Sequence, residues 1–105
     1  MQNENKTSIN IIQGDSCVKE IQIVGLSLDL IEGLYFSCEK LNLCKKLELQ
    51  DDIYVLEFTS EETMNFPKVY TTFDLTINFV GGSTKTVLFC DSFNVYEKRN
   101  KVDCL

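Results

Sequence analysis

The sequence predicts an all-β domain, and three observations carry that reading. Short segments rich in Ile, Val, Phe, Tyr and Thr alternate with turn-forming residues along the chain. No stretch keeps the 3.6-residue period of an amphipathic helix for long. Hydrophobic residues make up 44% and charged residues 25% of 105 positions, with one proline and five glycines, which is globular usage and neither disordered nor collagen-like. A chain of this length is within the size of one domain and holds a single core, so residues 1–105 are read as one unit.

A first strand runs from about Ser8 to Gln13 and ends at Gly14-Asp15, a pair suited to a tight turn because glycine reaches positive φ and aspartate bonds nearby backbone amides. A second runs from about Cys17 to Val24, with Ile21 and Ile23 on one face and Glu20 and Gln22 on the other. Leu26 to Leu30 again alternates apolar and polar residues, and Gly33 introduces Leu34, Phe36 and Cys38 on one strand face with Tyr35 opposite. Leu41 to Leu49 reads as a short strand or a turn, because Leu43 and Leu47 are at helical spacing whereas Leu47 and Leu49 are at strand spacing.

Asp51-Asp52 supplies a turn before Ile53 to Phe58, a strong strand candidate. Thr59 to Thr63 predicts a single helical turn capped by Ser60 or Thr59, its glutamates at the positive end of the helix dipole, and Pro67 closes that loop. The clearest pair is Tyr70 to Phe79, with Phe73, Leu75, Ile77 and Phe79 on one face, and Lys85 to about Tyr96, joined as a hairpin by Gly81-Gly82-Ser83. Phe93 and Val95 share the parity of Val87 and Phe89 only if Cys90-Asp91-Ser92 holds no bulge. Residues 1–7 and 97–105 read as polar arms. About seven strands at this spacing predict an immunoglobulin-like antiparallel β-sandwich, in which Tyr70 either makes a corner hydroxyl bond or simply packs.

Composition narrows the chemistry. Histidine is absent, which removes the commonest general base, the usual partner of a Ser or Cys nucleophile and the commonest metal ligand. The five cysteines, Cys17, Cys38, Cys44, Cys90 and Cys104, form no Cys-x-x-Cys pair; they read as small core hydrophobes, with Cys104 a free thiol on the tail. Gly81-Gly-Ser-Thr-Lys-Thr86 lacks the spacing of a phosphate-binding loop and a following helix, so a hairpin turn is expected. The carboxylates fall in turns and on exposed strand faces with no aromatic cleft to make a glycosidase pair. No enzyme activity, cofactor or metal is expected.

No apolar run approaches the ~20 residues of a membrane-spanning helix. The N-terminus shows no signal-type apolar segment, so an intracellular product with reduced thiols is expected and Asn5-Lys6-Thr7 carries no glycan. A net charge of −6 disfavours nucleic acid and anionic membranes as direct partners. That charge is uneven: Glu48, Asp51, Asp52, Glu57, Glu61 and Glu62 have no basic residue among them, while Lys98, Arg99 and Lys101 crowd the C-terminal tail.

Gly14-Asp15-Ser16 after a first strand, Phe58-Thr-Ser-Glu-Glu-Thr63, Tyr70-x-x-Phe-Asp-Leu-x-Ile77, Lys85-Thr-Val-Leu88 and Phe93-x-Val95 together resemble an immunoglobulin-like domain of tailed-phage virion proteins. Such domains open baseplate upper proteins and related fibre and tail components, and the likeness runs over about Ile9 to Val95. The matching residues are scaffold, so the resemblance implies no catalytic position. Members usually continue into a stalk or receptor-binding region, whereas this sequence ends at Leu105.

The resemblance implies a non-enzymatic bacteriophage structural protein, a decoration, adaptor or baseplate and fibre component, made in the bacterial host cytoplasm and residing in the virion. It would join other virion proteins and copies of itself by strand addition. Ile9, Ile11, Val102 and Leu105 are the candidate contacts, as apolar side chains near polar ends that need somewhere to bury. The alternative is an acidic phage inhibitor of a host defence nuclease, with Glu48, Asp51, Asp52, Glu57, Glu61 and Glu62 imitating nucleic acid. A cytosolic carbohydrate- or peptide-binding module is a third reading, without a legible concave aromatic surface.

Overall fold

A computed structural model describes residues 7–98. Eight strands, β1 (Ser8–Ile12), β2 (Cys17–Ile21), β3 (Ile31–Cys38), β4 (Leu43–Lys46), β5 (Glu48–Gln50), β6 (Ile53–Phe58), β7 (Val69–Phe79) and β8 (Thr84–Tyr96), form two sheets. One has the order β1-β8-β7-β3-β4 and the other β2-β6-β5. The all-β expectation holds, with one short helix, α1 (Ser60–Met64), between β6 and β7.

The inner faces of the two sheets meet in a single core. Period-two alternation puts Leu34, Phe36 and Cys38 of β3, Tyr54, Leu56 and Phe58 of β6, and Phe73, Leu75 and Ile77 of β7 into it. Phe36 lies at its centre, with ring centroids 5.4 Å from Phe58, 5.3 Å from Phe73 and 5.3 Å from Phe93. Phe36 and Phe58 belong to opposite sheets, so their edge-to-face contact ties the layers together.

Several expectations need correction. The sheets are not purely antiparallel: β1 pairs with β8 in parallel, from Ser8 with Ser92 to Ile12 with Tyr96. The chain crosses to the other sheet at Gly14-Asp15, so β1 need not reverse alongside its sequence neighbour. Gly14 has φ of +89°, as the sequence implied. The region Leu41 to Leu49, read as a short strand or a turn, leaves a 3₁₀ turn (Glu39–Leu41) and enters β4 and then β5, one in each sheet, because buried Leu47 carries the chain across between them. Leu28–Leu30 is a 3₁₀ turn and not a strand, capped by the Ser27 hydroxyl.

The open question in the last strand is resolved by a bulge. Cys90 has φ of +58°, and the β7–β8 register shifts between Phe73 and Leu75 and again between Leu75 and Thr76. Phe93 and Val95 therefore point into the core, while Phe89, of the same parity, is 68% exposed. Tyr70 lies on the outer face against Tyr96, 5.5 Å between ring centroids, and not in a corner.

Asp51 and Asp52 both have positive φ, 50° and 67°, and form the two-residue turn joining β5 to β6. Helix α1 starts at a full capping box: the Thr59 hydroxyl accepts from the Glu62 amide, and the Glu62 carboxylate accepts from the Thr59 amide. Glu62 also pairs with Lys45 of β4, whose ammonium lies 5.1 Å from the centre of the Phe58 ring.

The Lys45 hydrogen bond, helped by the Thr59 amide, holds the Glu62 carboxyl below its usual 4.5. A depressed carboxyl adds stability above its unfolded value and loses it as pH falls through the folded one. Glu62→Gln is therefore expected to lower the urea midpoint at pH 7 and to leave it unchanged at about pH 2, by a small margin because solvent screens the half-exposed pair. Equal losses at both pH values would assign the effect to the cap geometry alone.

Candidate interaction surfaces

The two sheets close differently along their two sides. On one side the chain crosses directly from β4 through Leu47 to β5, and the Lys45–Glu62 pair bridges β4 to α1. On the other side β1 covers only Ser92–Tyr96 of β8, a strand of 13 residues against its own five. Among the described residues no strand lies along the β1 side of Thr84–Cys90, and none lies along the outer edge of β2. Among the described residues both edges are open, and the backbone donors and acceptors along such an edge can take a partner strand.

Between these edges opens a groove of about 580 Å³. Its apolar walls come from Ile21, Ile23 and Leu26 on one side and Leu75, Val87 and Leu88 on the other. Ile9 and Phe73 form part of the lining. Val24, 85% exposed, extends the apolar surface onto the loop beyond β2.

Two cations flank this groove in a chain of net charge −6. Lys19 is paired with Leu56 and Lys85 with Ile77, both partners being buried on the inner faces, so each lysine occupies an inward-facing strand position at an open edge. Glu20, though beside the groove, is paired with Val55 and belongs to the outer face of its sheet.

That outer face is the second notable surface. Val55 stands between Glu20 on β2 and Glu48 on β5, and Glu57 lies opposite Val18. Asp51 and Asp52 form the hairpin tip beside it. Four of the six acidic residues singled out by sequence thus gather on one sheet and its turn, joined by Glu20, whose place opposite Ile21 and Ile23 was readable from the alternation. Glu61 and Glu62 belong to α1 instead, and Glu62 is committed to Lys45 and the capping box.

The apolar contacts proposed for the ends fare differently. Ile9 and Ile11 are each 1% exposed and face the core from β1, Ile9 also lining the groove. Val102 and Leu105 lie outside the described residues. The cysteines are not uniformly core hydrophobes: Cys38 is buried and Cys17 half-buried, whereas Cys44 and Cys90 are exposed. Cys44 faces outward from an edge strand, and Cys90 is turned out by the bulge. Burial raises the Cys17 thiol, partly offset by Lys19, which makes it a poorer nucleophile. Cys104 lies outside the described residues.

A second depression of about 780 Å³ lies between β3, β4 and the bulge in β8, lined by Cys38, Cys44, Cys90 and Asp74. The Asp74 carboxylate accepts from the Cys90 amide and holds the bulge. Among the described residues no group of three or more Cys, Asp or Glu side chains is placed to hold a metal ion, and no helix is long and apolar enough to cross a membrane. No protein-family model matches the chain, and no curated protein or solved structure shows significant similarity to it.

Proposed function

We propose that the chain is an immunoglobulin-like domain of the kind found in tailed-phage virion proteins and works without catalysis, as a decoration, adaptor or baseplate and fibre component. The strand order supports the fold. Taking β2, β3, β6, β7 and β8 as the B, C, E, F and G strands, the sheets follow the order of a variable-type sandwich, with β4 as the added strand beside C and β5 as D. The first strand lies beside G.

The observation that carries the function is the open side. Two strand edges that are open among the described residues flank an apolar groove, which supports completion of the β structure by a strand added from a neighbouring protein. Partners are then other virion proteins and further copies of the chain, made together in the bacterial cytoplasm. Gradient-purified particles of the phage whose genome encodes the chain should contain it in a fixed ratio to the major capsid or tail protein, measured by quantitative mass spectrometry. Absence from particles would end this reading.

The acidic face of β2-β6-β5 supports a second reading, an inhibitor that occupies the nucleic-acid groove of a host defence nuclease. Reversing Glu48, Asp51, Asp52 and Glu57 to lysine should abolish inhibition of such a nuclease, and binding should fall steeply with salt. A structural role would be only perturbed.

A further inference from the structure

We propose that the groove receives one extended strand from a partner protein, laid along Thr84–Cys90 of β8 in the row that β1 begins, with apolar residues at alternate positions and carboxylates opposite Lys19 and Lys85. This rests on the strand-addition reading and specifies its site and the chemistry of its occupant. Among the described residues the edge of β8 beyond β1 is open. β8 continues for a further stretch beyond its pairing with β1, and backbone groups along an edge are satisfied by another backbone in extended conformation. At about 3.3 Å per residue, Thr84–Cys90 accommodates roughly seven residues of an added strand.

Every second side chain of that strand turns inward, toward Ile21, Ile23, Leu75, Val87 and Leu88. Positions facing these walls require apolar residues, and positions facing Lys19 and Lys85 require carboxylates.

Charge selects among possible strands. Lysines at inward-facing positions protect an open edge from indiscriminate pairing, since an apolar strand would cover both ammonium groups without a counter-ion. A strand carrying Asp or Glu opposite them pairs with both instead. The same two side chains thus repel the wrong strand and select the right one.

A randomised ten-residue peptide library, selected against the full chain, tests this. The enriched peptides should alternate apolar with polar residues and carry Asp or Glu. Their binding should fall at least tenfold in a Lys19→Glu, Lys85→Glu double variant, whose exposed sites leave the circular dichroism spectrum and Tm unchanged. N-methylation of alternate backbone amides in the best peptide should cause a comparable loss. Peptides without alternation, no enrichment, or binding indifferent to the lysine changes would each overturn the proposal. So would preferential filling of the groove by palmitate, or binding that appears only after deletion of residues 1–6, which would make the chain's own N-terminal segment the occupant. Strand peptides that bind but ignore the lysines would leave the assembly reading intact, which particle content tests separately.

Discussion

Phe36→Ala is expected to cost about 3–5 kcal/mol, the range for truncating a fully buried aromatic residue. Phe36 is inaccessible to solvent and contacts Phe58, Phe73 and Phe93, drawn from both sheets. Removing it therefore opens a void that no single neighbour can fill without breaking its own strand pairing, since Phe36 also sits between Lys45 and Leu75 in the ladder. Natural domains hold only about 5–15 kcal/mol in total, so the loss takes a large share of the stability. At a urea slope of about 1–3 kcal/mol per molar, the midpoint should drop by roughly 1 M or more. Phe89→Ala is the matched control. Its ring is 68% exposed on the bulge, and its truncation should stay within about 0.5 kcal/mol. Similar midpoints for the two variants would show that the aromatic cluster does not organise the core.

The strands that build this core are the ones most legible in the sequence, because each has a dry inner face and a wet outer one. In β6 and β7 that contrast repeats over several alternations, Tyr54, Leu56 and Phe58, then Phe73, Leu75 and Ile77, so both existence and facing can be read from the residues. Ends and partners are less legible. The alternation of Ile21 and Ile23 continues past the last residue of β2, yet the strand stops at Ile21 because β6, its one neighbour among the described residues, pairs no further than Tyr54 on that side. Ile9 and Ile11 alternate as clearly as any core pair, but alternation does not say which strand lies alongside, and a parallel neighbour more than 80 positions away leaves no local trace. The groove is illegible for the same reason. It arises from a difference in length between β1 and β8, which is a property of their pairing and not of either segment. The bulge that turns Phe89 outward depends on Cys90 adopting positive φ, which a residue other than Gly, Asn or Asp does not advertise.

Thr63→Val is expected to destabilise the chain by about 1–3 kcal/mol although it preserves shape, because it removes a hydroxyl that joins two distant turns. Thr63 is the fully buried polar residue of α1. Its Oγ1 accepts from the Gly14 amide at 3.0 Å and donates to the Asp15 carbonyl at 2.8 Å, with a longer contact to the Ser60 carbonyl at 3.2 Å. Valine fills the same space and leaves the Gly14 N–H facing a methyl group. The turn cannot rotate that amide toward water cheaply, since Gly14 is held at φ of +89° within a turn that the Asp15 amide closes on the Ile12 carbonyl at 3.0 Å. Asp15 is exposed, so its carbonyl can recruit solvent, which keeps the cost near that of one orphaned donor. Thr63→Ser separates the hydroxyl from the methyl group: it retains the bonds and should lose only about 1 kcal/mol of packing. Urea unfolding with an unchanged slope would assign both losses to the native state. Equal cost for serine and valine would mean that the methyl group, and not the hydroxyl latch, fixes α1 to the crossing between the sheets. The latch matters for β1 as well, because the Gly14-Asp15 crossing follows directly on the Ile12–Tyr96 end of the parallel β1–β8 pairing, where the Gln13 amide donates to the Tyr96 carbonyl, and so helps fix that register.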